Sequence, residues 1–148
     1  MRIVAGTLEH VEPWARLRAA LWPGETARQH RLELERLFLA GDARAAAFVA
    51  ERGPGDLVGF AEAALRGDYV NGCETSPVLF LEGIFVRPDQ RRQGVARLLC
   101  DAVAEWGRMR GCREFASDAA LDNVVSHRFH AAFGFEETER VVFFRKKL

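Results

Sequence analysis

The sequence predicts an α/β fold in which helices cover a mixed β-sheet. Two apolar segments near the middle of the chain are separated by a short Gly/Pro turn, which predicts an antiparallel hairpin. Further on, a strand, a long helix and a second strand follow one another, and that order predicts a parallel pair. With 148 residues, 49% of them hydrophobic, the chain is long enough for one such domain, spanning residues 1–148.

The N-terminal elements are a strand and two helices. Residues 2–5 predict the strand. Apolar side chains recur at helical spacing over residues 8–21 and again over residues 25–40. The sequence WPG between these two segments predicts a break that divides the helices and leaves Trp22 on the connection.

The central elements are three strands and a helix. The hairpin strands are expected at residues 45–51 and 57–65, joined by the turn RGPGD, and residues 78–86 predict a buried strand that stops at an Arg-Pro pair. A helix follows from Gly94. Its apolar side chains fall on one stripe, formed by Val95, Leu98, Leu99, Ala102, Val103, Trp106 and Met109.

The C-terminal elements are expected to complete the sheet. Residues 113–117 predict a short strand, after which Asp122 or Asn123 can cap a helix that runs to about Phe133. Residues 135–147 are expected to close the chain as β structure.

Composition restricts the possible partners. Because 21 basic residues offset 21 acidic ones, no global field favours nucleic acid or a membrane surface. Cys73, Cys100 and Cys112 form no C-x-x-C pair and no signal peptide is recognisable, so we expect a reducing cytoplasm. No apolar run approaches the roughly 20 residues that span a bilayer, so we expect a soluble protein.

The segment RPDQRRQGVARLL lies between a predicted buried strand and a long helix. Such a junction presents free backbone N–H groups at the positive end of the helix dipole. Gly94 allows a ligand to approach the backbone closely, and Arg91 and Arg92 add positive charge, so we expect a phosphate or pyrophosphate site. The alternative is an ordinary arginine-bearing loop.

Glu82 is the only ionisable residue in the strand VLFLEGIFV. An ionised carboxylate inside a sheet costs several kcal/mol unless it is paired or reached by water. Gly83 is unusual in a central strand and often marks a bulge or a close approach of another group. Together they predict a strand that opens beside a bound ligand, whereas the alternative is an ion pair between Glu82 and an arginine of a neighbouring strand.

Other kinds of site are disfavoured. The sequence contains no G-x-x-x-x-G-K-[ST] loop, and GPGDLVG misses the dinucleotide-binding spacing and lies between two strands. His127 and His130 lack the partners of a metal site, so we expect no metal, and no G-x-S-x-G elbow indicates a hydrolase. The cysteines are interpreted as small buried apolar residues.

The segment between the buried strand and the long helix resembles the signature motif of the GNAT superfamily of N-acetyltransferases, [Q/R]-x-x-G-x-[G/A]. Here it reads RRQGVA, after EGIFVRP and before DNVVSHRFHAAFGF, which is the order of motifs in that superfamily. The resemblance implies a mixed, mostly antiparallel sheet of about six or seven strands, splayed at the fourth and flanked by about four helices.

A narrower resemblance covers nearly the whole chain. LWPG, DYVNGCETSPVLFLEGIFV, GCREFASDAALDN and GFEETERVVFF are similar to the aminoglycoside 6′-N-acetyltransferases of bacteria. That family implies acetyl-coenzyme A as the acetyl donor, antibiotic resistance as the outcome and a homodimer as the assembly. The cofactor contacts implied are Ile84, Phe85 and Val86 for the pantetheine arm, Arg91, Arg92, Gln93, Gly94, Val95 and Ala96 for the pyrophosphate, and Asn123.

The same resemblance implies an acceptor site for the cationic antibiotic. Its residues are Trp22, Tyr69, Glu82, Asp118 and Glu139. The acids among them can orient a polycation even though the whole chain is neutral. Glu82 is the candidate base for the attacking amine, directly or through a water, and transfer is expected to be direct, without an acyl-enzyme.

His130 is a second catalytic candidate. It occupies the place where many GNAT enzymes carry a tyrosine that protonates the departing thiolate, although that thiolate could equally take its proton from water. The alternatives to the antibiotic are an acetyltransferase of a polyamine, a small metabolite amine or a peptide amine, and a sensor that binds acyl-coenzyme A without catalysis.

Overall fold

The computed structural model describes residues 1–148 and contains one five-stranded sheet. The strands lie in chain order, the first four antiparallel and the last pair parallel. This confirms the predicted mixed α/β fold. The strands are β1 (Arg2–Ala5), β2 (Ala45–Gly53), β3 (Asp56–Arg66), β4 (Val78–Val86) and β5 (Phe115–Ala116).

Four α-helices flank the sheet: α1 (Val11–Leu21), α2 (Ala27–Leu34), α3 (Val95–Met109) and α4 (Val124–Ala132). The Thr26 side chain accepts a hydrogen bond from the Gln29 amide and so caps α2, which continues as a π-helical turn over Glu35–Leu39. The Asn123 side chain caps α4 in the same way. All four helices lie where the sequence predicts them.

Apolar side chains form a separate core on each face of the sheet. On one face, α3 places Val95, Leu99 and Val103 against a cluster that includes residues of β3 and β4. On the other face, Trp14 and Leu17 of α1 pack with residues of β2 and β3. The single apolar stripe of α3 explains why this helix covers one face alone.

The sheet separates at its last strand. The parallel pairing of β4 with β5 is limited to Leu79 opposite Phe115 and Phe80 opposite Ala116. Beyond Phe80, β4 continues to Val86 with β3 on one side only. This confirms the predicted splay at the fourth strand and leaves one edge of β4 without a strand partner.

The prediction of β structure over residues 135–147 is wrong, so the sheet has five strands rather than about six or seven. Phe135 packs edge-on against Phe115, with ring centroids 5.0 Å apart. The residues after it meet no neighbouring strand, and Phe143 and Phe144 are 89% and 94% exposed. A β-propensity becomes a strand only where a partner supplies hydrogen bonds, and this chain alone does not supply one.

A buried charge network connects the α1 face to β3. Arg18 donates to both carboxylate oxygens of Glu62, over 2.7 and 2.6 Å, and Trp14 Nε1 donates to the same group over 3.0 Å. Arg18 also pairs with Glu33 over 2.8 Å. Burial raises the pKa of the Glu62 carboxyl to about 7, although Arg18 and Trp14 act against that rise.

We expect this carboxyl to make stability depend on pH. Since the pKa of Glu62 is higher in the folded chain than the ordinary value of 4.5, its contribution is fully present below pH 4.5 and is lost as the pH rises to about 7. The free energy of unfolding should fall by roughly 1–3 kcal/mol through this group. Urea unfolding at several pH values measures it, and Glu62→Gln should lack this part of the slope. An identical slope in Glu62→Gln would contradict the assignment.

No helix of this chain combines the length and the apolar character that a membrane span requires.

Candidate active site

The edge of β4 beyond Phe80 forms one wall of a cleft. Ile84, Phe85 and Val86 pair with β3 on one side, whereas the side toward β5 has no strand partner. Backbone groups on a free strand edge can form hydrogen bonds with an extended ligand, as an added strand would. The three residues predicted to hold the pantetheine arm therefore lie on a free edge.

Glu82 lies at a β-bulge in this strand. Glu62 of β3 is opposite Gly83 and Ala63 is opposite Leu81, so Glu82 is the extra residue without a partner on β3. A bulge turns the side chain away from its regular place in the pleat. Glu82 therefore avoids the cost of an ionised carboxylate inside the sheet, because its side chain is 37% exposed. The expected bulge beside Gly83 is confirmed.

Glu82 is paired with an arginine of the neighbouring strand. Arg66 Nη2, at the end of β3, lies 3.2 and 3.3 Å from the two carboxylate oxygens. The Arg66 guanidinium also lies over the Phe80 ring, 3.4 Å from its centroid. The ion pair that the sequence offered as an alternative therefore exists, but on an exposed surface that ligands can reach.

Trp22 covers the strand at Gly83. A Cβ atom built on Gly83 would lie only 2.5 Å from Trp22 Cζ2, so the glycine is required for this contact. The tryptophan is held from three directions: Phe60 packs against it, the Arg18 guanidinium lies 4.8 Å from its ring, and its carbonyl oxygen lies 3.1 Å from His30 Nε2. The indole is thereby fixed beside Glu82.

Replacing Gly83 by alanine should displace the indole. The added methyl group overlaps Trp22, and overpacking of this kind destabilises a protein by about 1–3 kcal/mol. Unfolding in urea measures the loss. Gly24→Ala is the control, because no atom lies within 4 Å of a Cβ at that position. Equal stability of the two variants would show that Trp22 does not pack on Gly83.

Tyr69 lies on the connection between β3 and β4, where it is 76% exposed. It lines a cavity of about 420 Å³ together with Arg66, Asp68 and Arg44. The same connection turns at Gly72, where a Cβ would overlap the Thr138 side chain. The C-terminal segment thus contacts this connection one residue before Glu139.

Asp118 follows the end of β5 and is exposed. Since β5 pairs with β4 in parallel up to Ala116, Asp118 emerges where the two strands separate. Trp22 contacts Gly83 beside Glu82, and Tyr69 lines the same cavity as Arg66, the partner of Glu82. Asp118 follows the short β5, and Glu139 follows Thr138, which lies beside Gly72.

The loop before α3 has an unusual backbone. Arg92 has a φ of 62° and Gly94 a φ of 80°, both in the left-handed region. No atom lies within 4 Å of a Cβ built on Gly94. The amide groups of residues 92–97 donate no hydrogen bond within the chain. They form a set of free donors at the positive end of α3, as an anion site requires.

The arginines of this loop differ in their contacts. Arg91 Nε donates to the Val86 carbonyl over 2.9 Å and its guanidinium lies 5.6 Å from the Phe85 ring centroid. Arg91 therefore ties the loop to the free edge of β4. Arg92 has no ion-pair partner within the chain. Its charge is available to an anion.

His130 on α4 is engaged at both ring nitrogens. Nδ1 lies 2.7 Å from the Ser126 carbonyl oxygen, so this nitrogen carries the proton and donates it. Nε2 lies 2.8 Å from Ser117 Oγ. In the neutral ring, Nε2 accepts the hydroxyl proton of Ser117. Ser117 follows β5 directly, at the point where β4 and β5 separate.

The oxygen of the Asn123 side chain accepts from the Ser126 amide as the cap of α4. Its side-chain nitrogen donates to no group of the chain. Asn123 can therefore shape the start of α4 and still offer a donor to a ligand.

The cysteine thiols are not activated. Burial raises the pKa of the Cys100 thiol to about 11. Burial is also the main cause that raises the pKa of Cys73 and of Cys112. None of these thiols is a ready nucleophile at neutral pH.

One group of side chains has the composition of a metal site. Ligand atoms of Glu25, His30 and Glu33 lie within 4.8 Å of one another. However, His30 Nδ1 accepts from Arg18 Nε over 3.2 Å and Nε2 donates to the Trp22 carbonyl. With both ring nitrogens in use, this histidine serves the support of Trp22.

Several contributors were not identified from the sequence. Arg66 and Ser117 belong to the site, and Arg18, Glu62 and His30 form its support. The only feature of the sequence that indicated Arg66 was Glu82, because an ionised carboxylate in a strand requires a charged or hydrogen-bonding partner. The others are separated in sequence from the residues they contact, so no local pattern marks them.

Comparisons with known proteins place these features in context. Residues 11–135 match the model of the Acetyltransferase (GNAT) family. The chain is 50% identical over 138 residues to an aminoglycoside N(6')-acetyltransferase type 1 of Salmonella enteritidis, covering 93% of each protein.

Two solved structures are similar over the full fold. One is AAC(6')-Iy in complex with the bisubstrate analogue CoA-S-monomethyl-acetylneamine, with a TM-score of 0.91 and 48% identity over 99% of this chain and 98% of that chain. The other is aminoglycoside 6'-N-acetyltransferase AAC(6')-Ih from Acinetobacter baumannii, with a TM-score of 0.93 and 43% identity over 99% of this chain and 98% of that chain.

Proposed function

Because the chain belongs to the Acetyltransferase (GNAT) family, we propose that it transfers the acetyl group of acetyl-coenzyme A to the 6′-amine of aminoglycoside antibiotics. The observation that carries this proposal is the 50% identity, over 93% of both chains, to an aminoglycoside N(6')-acetyltransferase. Antibiotic resistance is the proposed biological outcome.

Acetyl-coenzyme A fits the cleft beside β4. The free amides of residues 92–97 and the charge of Arg92 suit its pyrophosphate. The free edge of β4 at Ile84, Phe85 and Val86 suits the amide groups of its pantetheine arm. We assign the pyrophosphate to Arg91, Arg92, Gln93, Gly94, Val95 and Ala96, with Asn123 as a further contact.

The acceptor side suits a polycation. Glu82, Asp118 and Glu139 supply negative charge, while Trp22 and Tyr69 supply aromatic surface. Acids gathered at one place attract and orient a cationic ligand although 21 basic and 21 acidic residues cancel over the whole chain.

The reaction requires removal of a proton. A primary amine with a pKa of about 10 is protonated roughly a thousandfold over its free form at pH 7, a deficit of about 4 kcal/mol. Glu82, directly or through a water, takes that proton and passes it to solvent, and the free amine then attacks the thioester carbonyl. The N–C bond forms, the nitrogen gives its second proton to Glu82, the C–S bond breaks and coenzyme A leaves, without an acyl-enzyme.

His130 is the proposed source of a proton for the leaving thiolate. Because Ser117 Oγ lies 2.8 Å from His130 Nε2, a protonated His130 would pass its Nε2 proton to Ser117 while the Ser117 hydroxyl proton moves to sulfur. The proton is thus relayed from His130 to the sulfur through the hydroxyl group of Ser117. The departing thiolate becomes the thiol and the imidazole returns to its neutral form.

Release of thiol from acetyl-coenzyme A tests the function. Wild-type protein should release thiol with kanamycin and tobramycin, and much less with spermidine or a lysine peptide. No turnover with either aminoglycoside would refute the proposal. Turnover with spermidine or the peptide alone would assign a different acceptor.

Replacing Gly94 by aspartate should weaken the binding of acetyl-coenzyme A. A carboxylate beside the pyrophosphate introduces like-charge repulsion, and we expect about 10- to 100-fold weaker binding. Titration with coenzyme A measures it. Gly41→Asp is the matched control, because Gly41 has a similar φ of 87° and open space around it. Equal losses in the two variants would remove the pyrophosphate assignment.

We also propose that the chain acts as one domain, residues 1–148, in a homodimer. Val142, Phe143 and Phe144 are exposed near the C-terminus, and an apolar segment of this kind suits contact with a second copy. The short β5 leaves a sheet edge nearby. Gel filtration of wild type and Phe143→Asp would test this assembly.

The cysteines, all free thiols, fit the proposed cytoplasmic location.

A further inference from the structure

We infer that Arg66 is a specificity-determining residue that acts as a competing cation: its guanidinium occupies Glu82 until the ammonium group of the acceptor displaces it. This inference rests on the proposed function, because it concerns how the amine of an aminoglycoside reaches Glu82. Recognition of the amine is then an exchange of one cation for another on the same carboxylate.

The contact geometry places a cation where an acceptor amine is expected. Arg66 Nη2 contacts both oxygens of Glu82, at 3.2 and 3.3 Å. Glu82 lies at the bulge, where no residue of β3 is paired with it in the β-ladder. The carboxylate therefore has one charged partner in the free protein, the Arg66 guanidinium.

The guanidinium has a second attachment that survives the exchange. It lies 3.4 Å from the centroid of the Phe80 ring, a cation–π contact that does not involve Glu82. When Glu82 turns to an ammonium group, Arg66 can stay on Phe80 and needs no new partner. Both side chains are partly exposed, at 43% for Arg66 and 37% for Glu82. A ligand from solvent can therefore reach Glu82 and replace Arg66.

The exchange distinguishes the substrate from its product. The amine of the substrate carries a positive charge and can replace Arg66 on Glu82. After acetylation the same nitrogen is a neutral amide with no charge to offer. Once Glu82 has released its proton to solvent, Arg66 pairs with it again. The ion pair of the free enzyme is thus restored while the product still lies in the cleft, so Arg66 competes with the substrate and not with the product.

The test compares two ligands that differ at this one nitrogen. Kanamycin and 6′-N-acetylkanamycin are titrated calorimetrically into wild type and Arg66→Gln, in the absence of acetyl-coenzyme A. An exposed ion pair is worth little, so Arg66→Gln should bind kanamycin only about two- to fivefold more tightly. Its affinity for the acetylated product should stay at the wild-type value. Arg66→Lys keeps the positive charge and should show a smaller gain.

Arg44→Gln is the matched control. Arg44 lines the same cavity as Arg66 but makes no ion pair. Removing its charge changes only the general field, so Arg44→Gln measures the small extra gain that kanamycin shows because it carries one more positive charge than the acetylated product. An unchanged affinity of Arg66→Gln for kanamycin, or a gain over the acetylated product no larger than in Arg44→Gln, would overturn the inference. If wild type fails to turn over kanamycin, the proposed function fails instead, and that outcome is read in the separate thiol-release assay.

Discussion

Glu82→Gln should lower kcat/KM for kanamycin by about 10²- to 10⁴-fold, the usual contribution of a positioned general base. The amide keeps the size of the side chain but cannot accept the ammonium proton. The loss should appear mainly in kcat, because Asp118 and Glu139, the other acids of the proposed acceptor site, remain. Steady-state thiol release at several kanamycin concentrations separates kcat from KM.

The outcome also distinguishes the two roles open to Glu82. A rise in KM with kcat retained would identify Glu82 as an anchor of the antibiotic rather than as its base. Glu105→Gln is the control, because Glu105 is an exposed glutamate paired with an arginine, Arg108, at 3.5 Å on α3. Turnover in Glu82→Gln equal to that of the control would remove both roles.

The second large effect is expected at Arg18, which is 3% exposed. Arg18→Met leaves the Glu62 carboxylate buried with Trp14 Nε1 as its only donor. Removing one partner of a buried ion pair costs about 3–5 kcal/mol. Urea unfolding at pH 8 should show this loss. At pH 5 the loss should be smaller, because Glu62, whose pKa burial already raises to about 7, can escape its unpaired charge by taking up a proton.

A double variant isolates the cause. In Arg18→Met/Glu62→Met no unpaired charge remains, so its stability should exceed that of Arg18→Met alone. Arg31→Met is a useful control, since Arg31 pairs with Glu12 at 3.5 Å on the surface and should cost less than about 1 kcal/mol. A double variant less stable than Arg18→Met would show that packing, not charge, explains the loss.

The support around Trp22 links these two predictions. Arg18 contacts Glu62, His30 and the Trp22 ring, and Trp22 in turn rests on Gly83 next to Glu82. A change at Arg18 therefore reaches the acceptor side through packed groups. The buried pair of Arg18 and Glu62 thus lies next to the bulge, since Glu62 is opposite Gly83 on β3, and it supports the position of Trp22.

The sequence was informative about individual elements because their signals are local. The apolar stripe of α3, the cap at Asn123 and the left-handed Gly94 each depend on residues within a few positions of one another. The unusual pair Glu82 and Gly83 likewise indicates a bulge. Resemblance to a family added the residues around it, which no periodicity could supply.

Whether residues 135–147 form a strand does not depend on local sequence alone. The sequence predicts β structure there, yet a strand requires a partner edge, and none lies beside these residues in the single chain. The same reasoning applies to the direction of the Glu82 side chain. Whether a side chain in a strand faces the core depends on the pairing register, and one extra residue in β4 changes it.

By itself, the sequence determined the order of helices and strands as far as α4, the glycine loop with free amides before α3 and the presence of a carboxylate beside a glycine in β4. Only the tertiary structure decided that Arg66 pairs with this carboxylate, that Ser117 contacts His130 and that Arg18 holds Glu62 beneath Trp22. Short-range periodicity and capping specify the elements, whereas contacts between residues far apart in the chain depend on how the bulge and the splay of β4 orient them.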